Sequence, residues 1–213
     1  MKGRNKMKIT VFSVGMIHSN CYIAETDTSA VMIDCGGITP QLQKYTEEIS
    51  GKIKAILLTH GHCDHISATQ HFAKMLGAQV VIHKADAAAL FDESHGLFSH
   101  LGRFYPFSKY EGEPLLIEGG ETLTFGDITA EVIHTPGHSE GSVCYKIGDK
   151  LFSGDTLFNL SVGRTDLEGS DSAKLPDSLK TLMKLSDETE VFPGHGEKTT
   201  IGFERLNNPY IVG

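Results

Sequence analysis

The sequence predicts an α/β protein, with sheets inside and helices outside. Three observations predict it. Residues 53–58 form a near-continuous apolar run, the pattern of a strand covered on both faces. A helical stretch over 67–76, stopped by Gly77, leads to a second apolar run at 78–82, which completes a β-α-β unit. In the second half of the chain, short strands are punctuated by the turn pairs Gly126-Asp127 and Gly148-Asp149.

The elements follow in order. Residues 8–14 alternate loosely and are rich in β-formers. Residues 21–24 and 30–33 read as two more strands, with the polar 25–29 as their turn. Residues 40–49 read as a helix, with Thr39 as its N-cap and Pro40 at its first position. Residues 85–91 look helical. The stretch that follows, carrying Phe98, Phe104, Tyr105 and Phe107, has no clean period. Strands are expected at 121–125, 128–133, 142–147 and 150–153. Leu175, Leu179, Leu182 and Leu185 make one apolar helical stripe, with Pro176 near its start. Residues 190–192 read as a last short strand and 200–205 as a last helical turn. No linker, low-complexity tract or solenoid repeat interrupts the chain, so one domain over 1–213 is expected.

Bulk properties narrow the function. The formal net charge is -8, which argues against a nucleic-acid partner. Four cysteines are scattered with no C-x-x-C pair, so a reducing, cytoplasmic setting is expected. The opening residues 1–7 are basic, but no apolar segment long enough for a signal peptide or a membrane span follows. Met1 and Met7 are both candidate starts. The oligomeric state is open.

The chemistry is concentrated in Thr59-His60-Gly61-His62-Cys63-Asp64-His65. Three imidazoles and a carboxylate fall where a buried strand ends and a helix begins. Packing offers no reason to bury them together. In an extended segment His60 and His62 point the same way, while Asp64 and His65 face a neighbouring point. One short loop cannot wrap a metal alone, so further ligands must come from elsewhere. Candidates stand at three later strand ends: His134-Thr135-Pro136-Gly137-His138, Ser153-Gly154-Asp155-Thr156 and Pro193-Gly194-His195-Gly196. A lone histidine in a turn is ordinarily structural; the recurrence of a ligand-type residue beside glycine after a strand is what gives these three weight. His18, His71, His83, His95 and His100 have no ligand spacing. His134 reads as structural or as a support for a ligand, and Cys63 as a small packed residue.

These motifs resemble the metallo-β-lactamase superfamily and, within it, the glyoxalase II-like hydrolases of a small bacterial branch. Gly163-Arg164-Thr165-Asp166 and the closing Asn208-Pro209-Tyr210 share in the resemblance. It implies a four-layer αβ/βα sandwich of two mixed sheets flanked by helices, with metals at one edge. It implies that His60, His62 and His138 hold one metal, that Asp64, His65 and His195 hold a second, and that Asp155 bridges both. Two divalent ions are implied, zinc first, with iron or manganese as alternatives. Asp34, at the end of an early strand, matches a family position; it either orients a ligand histidine or makes an Asx turn.

The function implied is hydrolysis of a small thioester such as S-lactoylglutathione by a metal-bridging hydroxide, with Asp64 also orienting the nucleophile. A mononuclear-iron persulfide dioxygenase and a lactonase or other hydrolase of the superfamily are the alternatives. Arg164 is a candidate for a substrate carboxylate, against an ion pair with Asp166 or Asp171. Full-length glyoxalase II enzymes add a C-terminal helical domain that grips glutathione, and no such domain is expected before Gly213. The aromatic residues at 104–110 either roof the site or form a satellite core.

Overall fold

The computed structural model describes residues 7–212. Residues 1–6 of the basic opening segment, and with them Met1 of the two candidate starts, lie outside them. The first sheet contains β1 (Lys8–Val14), β2 (Ser19–Glu25), β3 (Ala30–Ile33), β4 (Ile53–Leu57), β5 (Gln79–His83) and β6 (Leu115–Ile117), in that spatial order. The pairs from β1 to β3 are antiparallel and those from β3 to β6 parallel. The second sheet contains β7 (Thr122–Phe125), β8 (Ile128–His134), β9 (Val143–Ile147), β10 (Lys150–Gly154), β13 (Glu190–Pro193) and β14 (Thr199–Thr200). A separate hairpin joins β11 (Leu157–Phe158) to β12 (Ser161–Val162).

Alternation along each strand builds the layers. Val31 and Ile33 of β3 face the second sheet and pack with Tyr145, Phe152 and Phe192. Ala30 and Met32 face the other way, against Leu42 of α1 (Pro40–Glu48) and Phe72 of α3 (Thr69–Leu76). On the far side, Cys144, Leu151 and Val191 pack under Leu175, Leu179 and Leu182 of α5 (Leu175–Leu182) and Ile201 of α6 (Ile201–Asn207). Helix, sheet, sheet and helix make the four-layer αβ/βα sandwich the sequence led us to expect. Among the described residues no helix is long and apolar enough to cross a membrane.

Three expectations need correction. The helix expected over 67–76 begins at Thr69, because the Ala68 N–H donates to the Cys35 carbonyl at 2.9 Å. A separate turn of helix, α2 (Cys63–Ile66), precedes it and carries Asp64 and His65. Residues 85–91 contain only a 3-10 turn, Ala87–Leu90. The aromatic stretch at 104–110, which follows α4 (Phe98–Leu101), forms no satellite core: Tyr105 and Tyr110 are buried in the same core as Met32, Leu42 and Phe72, with Phe107 packed against it, while Phe104 is exposed.

Candidate metal centre

Four loops at one edge of the sandwich supply the site. The first leaves β4 and runs through Thr59, His60, Gly61 and His62 into α2. The others leave β8 with His138, β10 with Asp155 and β13 with His195. Backbone bonds stitch these loops together. Val143 N donates to Thr59 O at 2.8 Å, Gly194 N to Gly154 O at 2.8 Å and Asn20 N to Gly194 O at 2.7 Å. Gly194 is required by close approach: a Cβ there would collide with the Asp155 carboxylate.

The seven side chains meet. His60, His62 and His138 form one triplet whose donor atoms lie within 4.8 Å of one another, and Asp64, His65 and His195 form another. In the first, His62 Nδ1 stands 2.9 Å from His138 Nε2. In the second, Asp64 Oδ2 is 3.1 Å from both His65 Nε2 and His195 Nε2. Asp155 lies between them: Oδ1 is 3.5 Å from His65 Nε2, and Oδ2 is 3.4 Å from His138 Nε2 and 3.6 Å from His195 Nε2.

Neighbouring groups fix the rings. His65 Nδ1 donates to Asp34 Oδ2 at 2.9 Å, and His138 Nδ1 donates to the Arg164 carbonyl at 2.8 Å. His60 Nδ1 meets Thr59 Oγ1 at 3.1 Å, and that hydroxyl donates to Asp34 Oδ2 at 2.8 Å. Each contact leaves the opposite nitrogen of the ring, Nε2, turned to the site. Asp34 therefore bonds His65 directly and reaches His60 through the Thr59 hydroxyl. It does so from a left-handed backbone, φ 56°, which aspartate tolerates better than most residues.

In the metal-free protein the charges are uneven. Burial, then the neighbouring His65, His62 and His138, holds His60 well below the usual imidazole range. Burial and His138 bring His62 down to about 3. Both rings are neutral at pH 7, as ligation requires. Burial also pulls on His65, but Asp64, Asp155 and Asp34 outweigh it and raise that ring well above the usual range. Burial would raise Asp64; His65, with the hydrogen bonds from His195 and His65, holds it well below the ordinary carboxylate range instead.

His60 Nε2 and Asp155 Oδ1 are buried with no hydrogen-bond partner among the described residues. Leaving such an atom unpaired costs about 1–3 kcal/mol. Two orphaned ligand atoms among imidazoles and carboxylates fit a pair of divalent transition-metal ions.

The remaining expected residues fall as follows. Arg164 forks onto Asp166 at 2.6 and 2.7 Å at the surface, so its carbonyl, not its guanidinium, touches the centre. His134 stacks on His83 with centroids 4.3 Å apart, across the two sheets. Cys63 is fully buried. Asn208 is also buried and donates to Ser161 O at 3.1 Å, tying α6 to the β11–β12 hairpin. Sequence reasoning missed Thr59 and Asp86. Thr59 stood inside the motif but is not a metal-ligand type. Asp86 gave no signal, because its partners are main-chain groups and a serine hydroxyl. A cleft of 380 Å³ opens beside His62, lined in part by Gly61, Asp86, Ser94, His95 and Glu168.

Comparison with known proteins agrees with this geometry. Residues 14–195 match the family described as the Metallo-beta-lactamase superfamily. The crystal structure of BLEG-1, a B3 metallo-beta-lactamase, superposes with a TM-score of 0.90 at 36% identity, covering 97% of this chain and 100% of that one. TTHA1623, solved in a di-iron-bound form, superposes with a TM-score of 0.83 at 36% identity, covering 94% of this chain and 99% of that one. The hydroxyacylglutathione hydrolase GloC of Haemophilus influenzae is 32% identical over 215 residues, covering 96% of this chain and 98% of GloC. The chain belongs to the metallo-beta-lactamase superfamily, as a metal-dependent hydrolase with a binuclear metal-binding site.

Proposed function

We propose that the chain hydrolyses a small thioester, with S-lactoylglutathione as the lead substrate and zinc as the metal. The observation that carries the reading is the placing of Asp155, whose two carboxylate oxygens face His65 on one side and His138 and His195 on the other. His60, His62 and His138 are assigned to one ion, Asp64, His65 and His195 to the other, and Asp155 to both. When bound, the pair of ions supplies Lewis acidity and a water ionised near neutral pH.

The protein's own groups do the rest. Asp34, Thr59 and the Arg164 carbonyl hold the rings in register. Asp64, kept ionised by its neighbours, accepts a hydrogen bond from the attacking water and aims it at the carbonyl carbon. A thiol of pKa about 8.5 departs as thiolate, so a thioester needs no proton donor at the leaving group. The likeness to GloC supports the acylglutathione assignment. The four buried, unpaired cysteines support a cytoplasmic setting.

β-Lactam hydrolysis is the second reading, favoured by the likeness to BLEG-1, and iron is the second metal, favoured by the di-iron TTHA1623. Metal analysis and a substrate panel decide between these readings. The thioesterase reading expects about two zinc ions per chain and thiol release from S-lactoylglutathione that stops on chelation. About one iron per chain, with oxygen uptake on glutathione persulfide, would replace it with the dioxygenase reading. Turnover of β-lactams or lactones alone would move the substrate.

A further inference from the structure

Asp86 lies between β5 and the 3-10 turn, outside both triplets and outside every motif. Its carboxylate is fully engaged. Oδ2 accepts from Gly61 N at 2.8 Å and from Ser139 Oγ at 2.7 Å, and Oδ1 accepts from Gly141 N at 2.8 Å. Gly61 separates His60 from His62, and Ser139 follows His138. One side chain therefore clamps the two loops that carry the first triplet, and its hydrogen bonds reach neither α2 nor the His195 loop. The approach is close: a Cβ on Gly141 would collide with the carboxylate. Hydrogen bonds to an ionised acceptor are roughly twice as strong as neutral ones, which suits a clamp reaching 53 positions along the chain to Ser139 and 55 to Gly141.

We propose that Asp86 is the positioning residue for the His60–His62–His138 half of the binuclear site, setting the spacing of those rings and so the affinity of that half alone. The proposal rests on the two-metal reading above and deepens it. Asparagine cannot replace this aspartate, because both oxygens face a main-chain N–H. A side-chain amide in its place would point a donor at a donor.

The test is zinc titration of metal-free protein against a chromophoric chelator, in two backgrounds. In His195→Ala the first half remains, and Asp86→Asn is expected to weaken its zinc affinity about 10–100-fold. In His138→Ala the second half remains, and Asp86→Asn is expected to leave its affinity unchanged within about twofold. Ser139→Ala, which removes one of the three donors, is expected to weaken the first half by a smaller factor, and it carries the test if Asp86→Asn does not fold. Wild-type affinity of the first half in Asp86→Asn, or in Ser139→Ala where that variant alone folds, would overturn the proposal, as would equal losses in both backgrounds. Failure of the parent chain to bind two zinc ions would instead overturn the two-metal reading.

Discussion

Asp34 Oδ2 lies 2.9 Å from His65 Nδ1 and 2.8 Å from Thr59 Oγ1, so one carboxylate oxygen serves rings from both triplets. Its other oxygen accepts from Thr59 N at 2.8 Å. Asp34→Asn is expected to bring an amide donor against these donors and to lower zinc affinity about 10–100-fold, read by competition with a chelator. Asparagine tolerates the left-handed backbone at this position and alanine does not. Asp34→Ala should therefore melt at a lower temperature than Asp34→Asn in the metal-free state. The reverse order would separate the backbone argument from the hydrogen bonds.

Asp155→Ala removes the group that both triplets share. Retained metal is expected to fall from about two ions per chain to one or fewer, and thiol release from S-lactoylglutathione to drop by at least about a hundredfold. Metal analysis and steady-state rates on the same preparation check both. A variant that keeps both ions would show that the triplets are self-sufficient.

Arg164→Ala should change little. The contact with His138 comes from the main chain, and the guanidinium is spent on an exposed pair with Asp166 that solvent screens. Metal content and KM are expected to stay within about twofold of the parent. A KM raised tenfold at unchanged kcat would restore the guanidinium as a substrate group.

The metal-free protein should be most stable near pH about 6.5, the unperturbed imidazole value. His60 and His62 are held low, so below that pH the unfolded chain takes protons that the native rings refuse, and stability falls as pH falls. His65 is held high, so above that pH the native ring keeps a proton the unfolded chain has lost, and stability falls as pH rises. Melting temperatures from pH 5 to 9 after chelation test the peak. Zinc binding at pH 7 should also release a proton, because His65 must be neutral to ligate, and calorimetry in buffers of different ionisation enthalpy reads it.

Much of this was legible beforehand, for a physical reason. Three imidazoles and a carboxylate on one short segment cannot be explained by packing, so the His60–His65 motif announces itself. His138, Asp155 and His195 are readable because each follows a short strand beside a glycine, where sheet proteins place their sites. Asp34 was half readable, since an aspartate at a strand end serves equally as a turn former until its partners are seen. Asp86 was not readable at all, because main-chain N–H groups, which every residue type carries, leave no pattern in sequence. The split between α2 and α3 was hidden likewise, since the bond from Ala68 to Cys35 spans 33 positions. β6, β11, β12 and β14 are two or three residues long, too short for alternation to register.

Each triplet draws two members from the segment after β4 and one from beyond β8. A nascent chain that has emerged only as far as β8 thus owns four donors and no complete set. The donors become neighbours only once the two sheets have docked, and an ion captured then acts as a rivet through the sandwich. Starving the cell of metal would leave newly made protein with loosened sheets, so its turnover by proteases, and not only its catalysis, should track the supply of the ion.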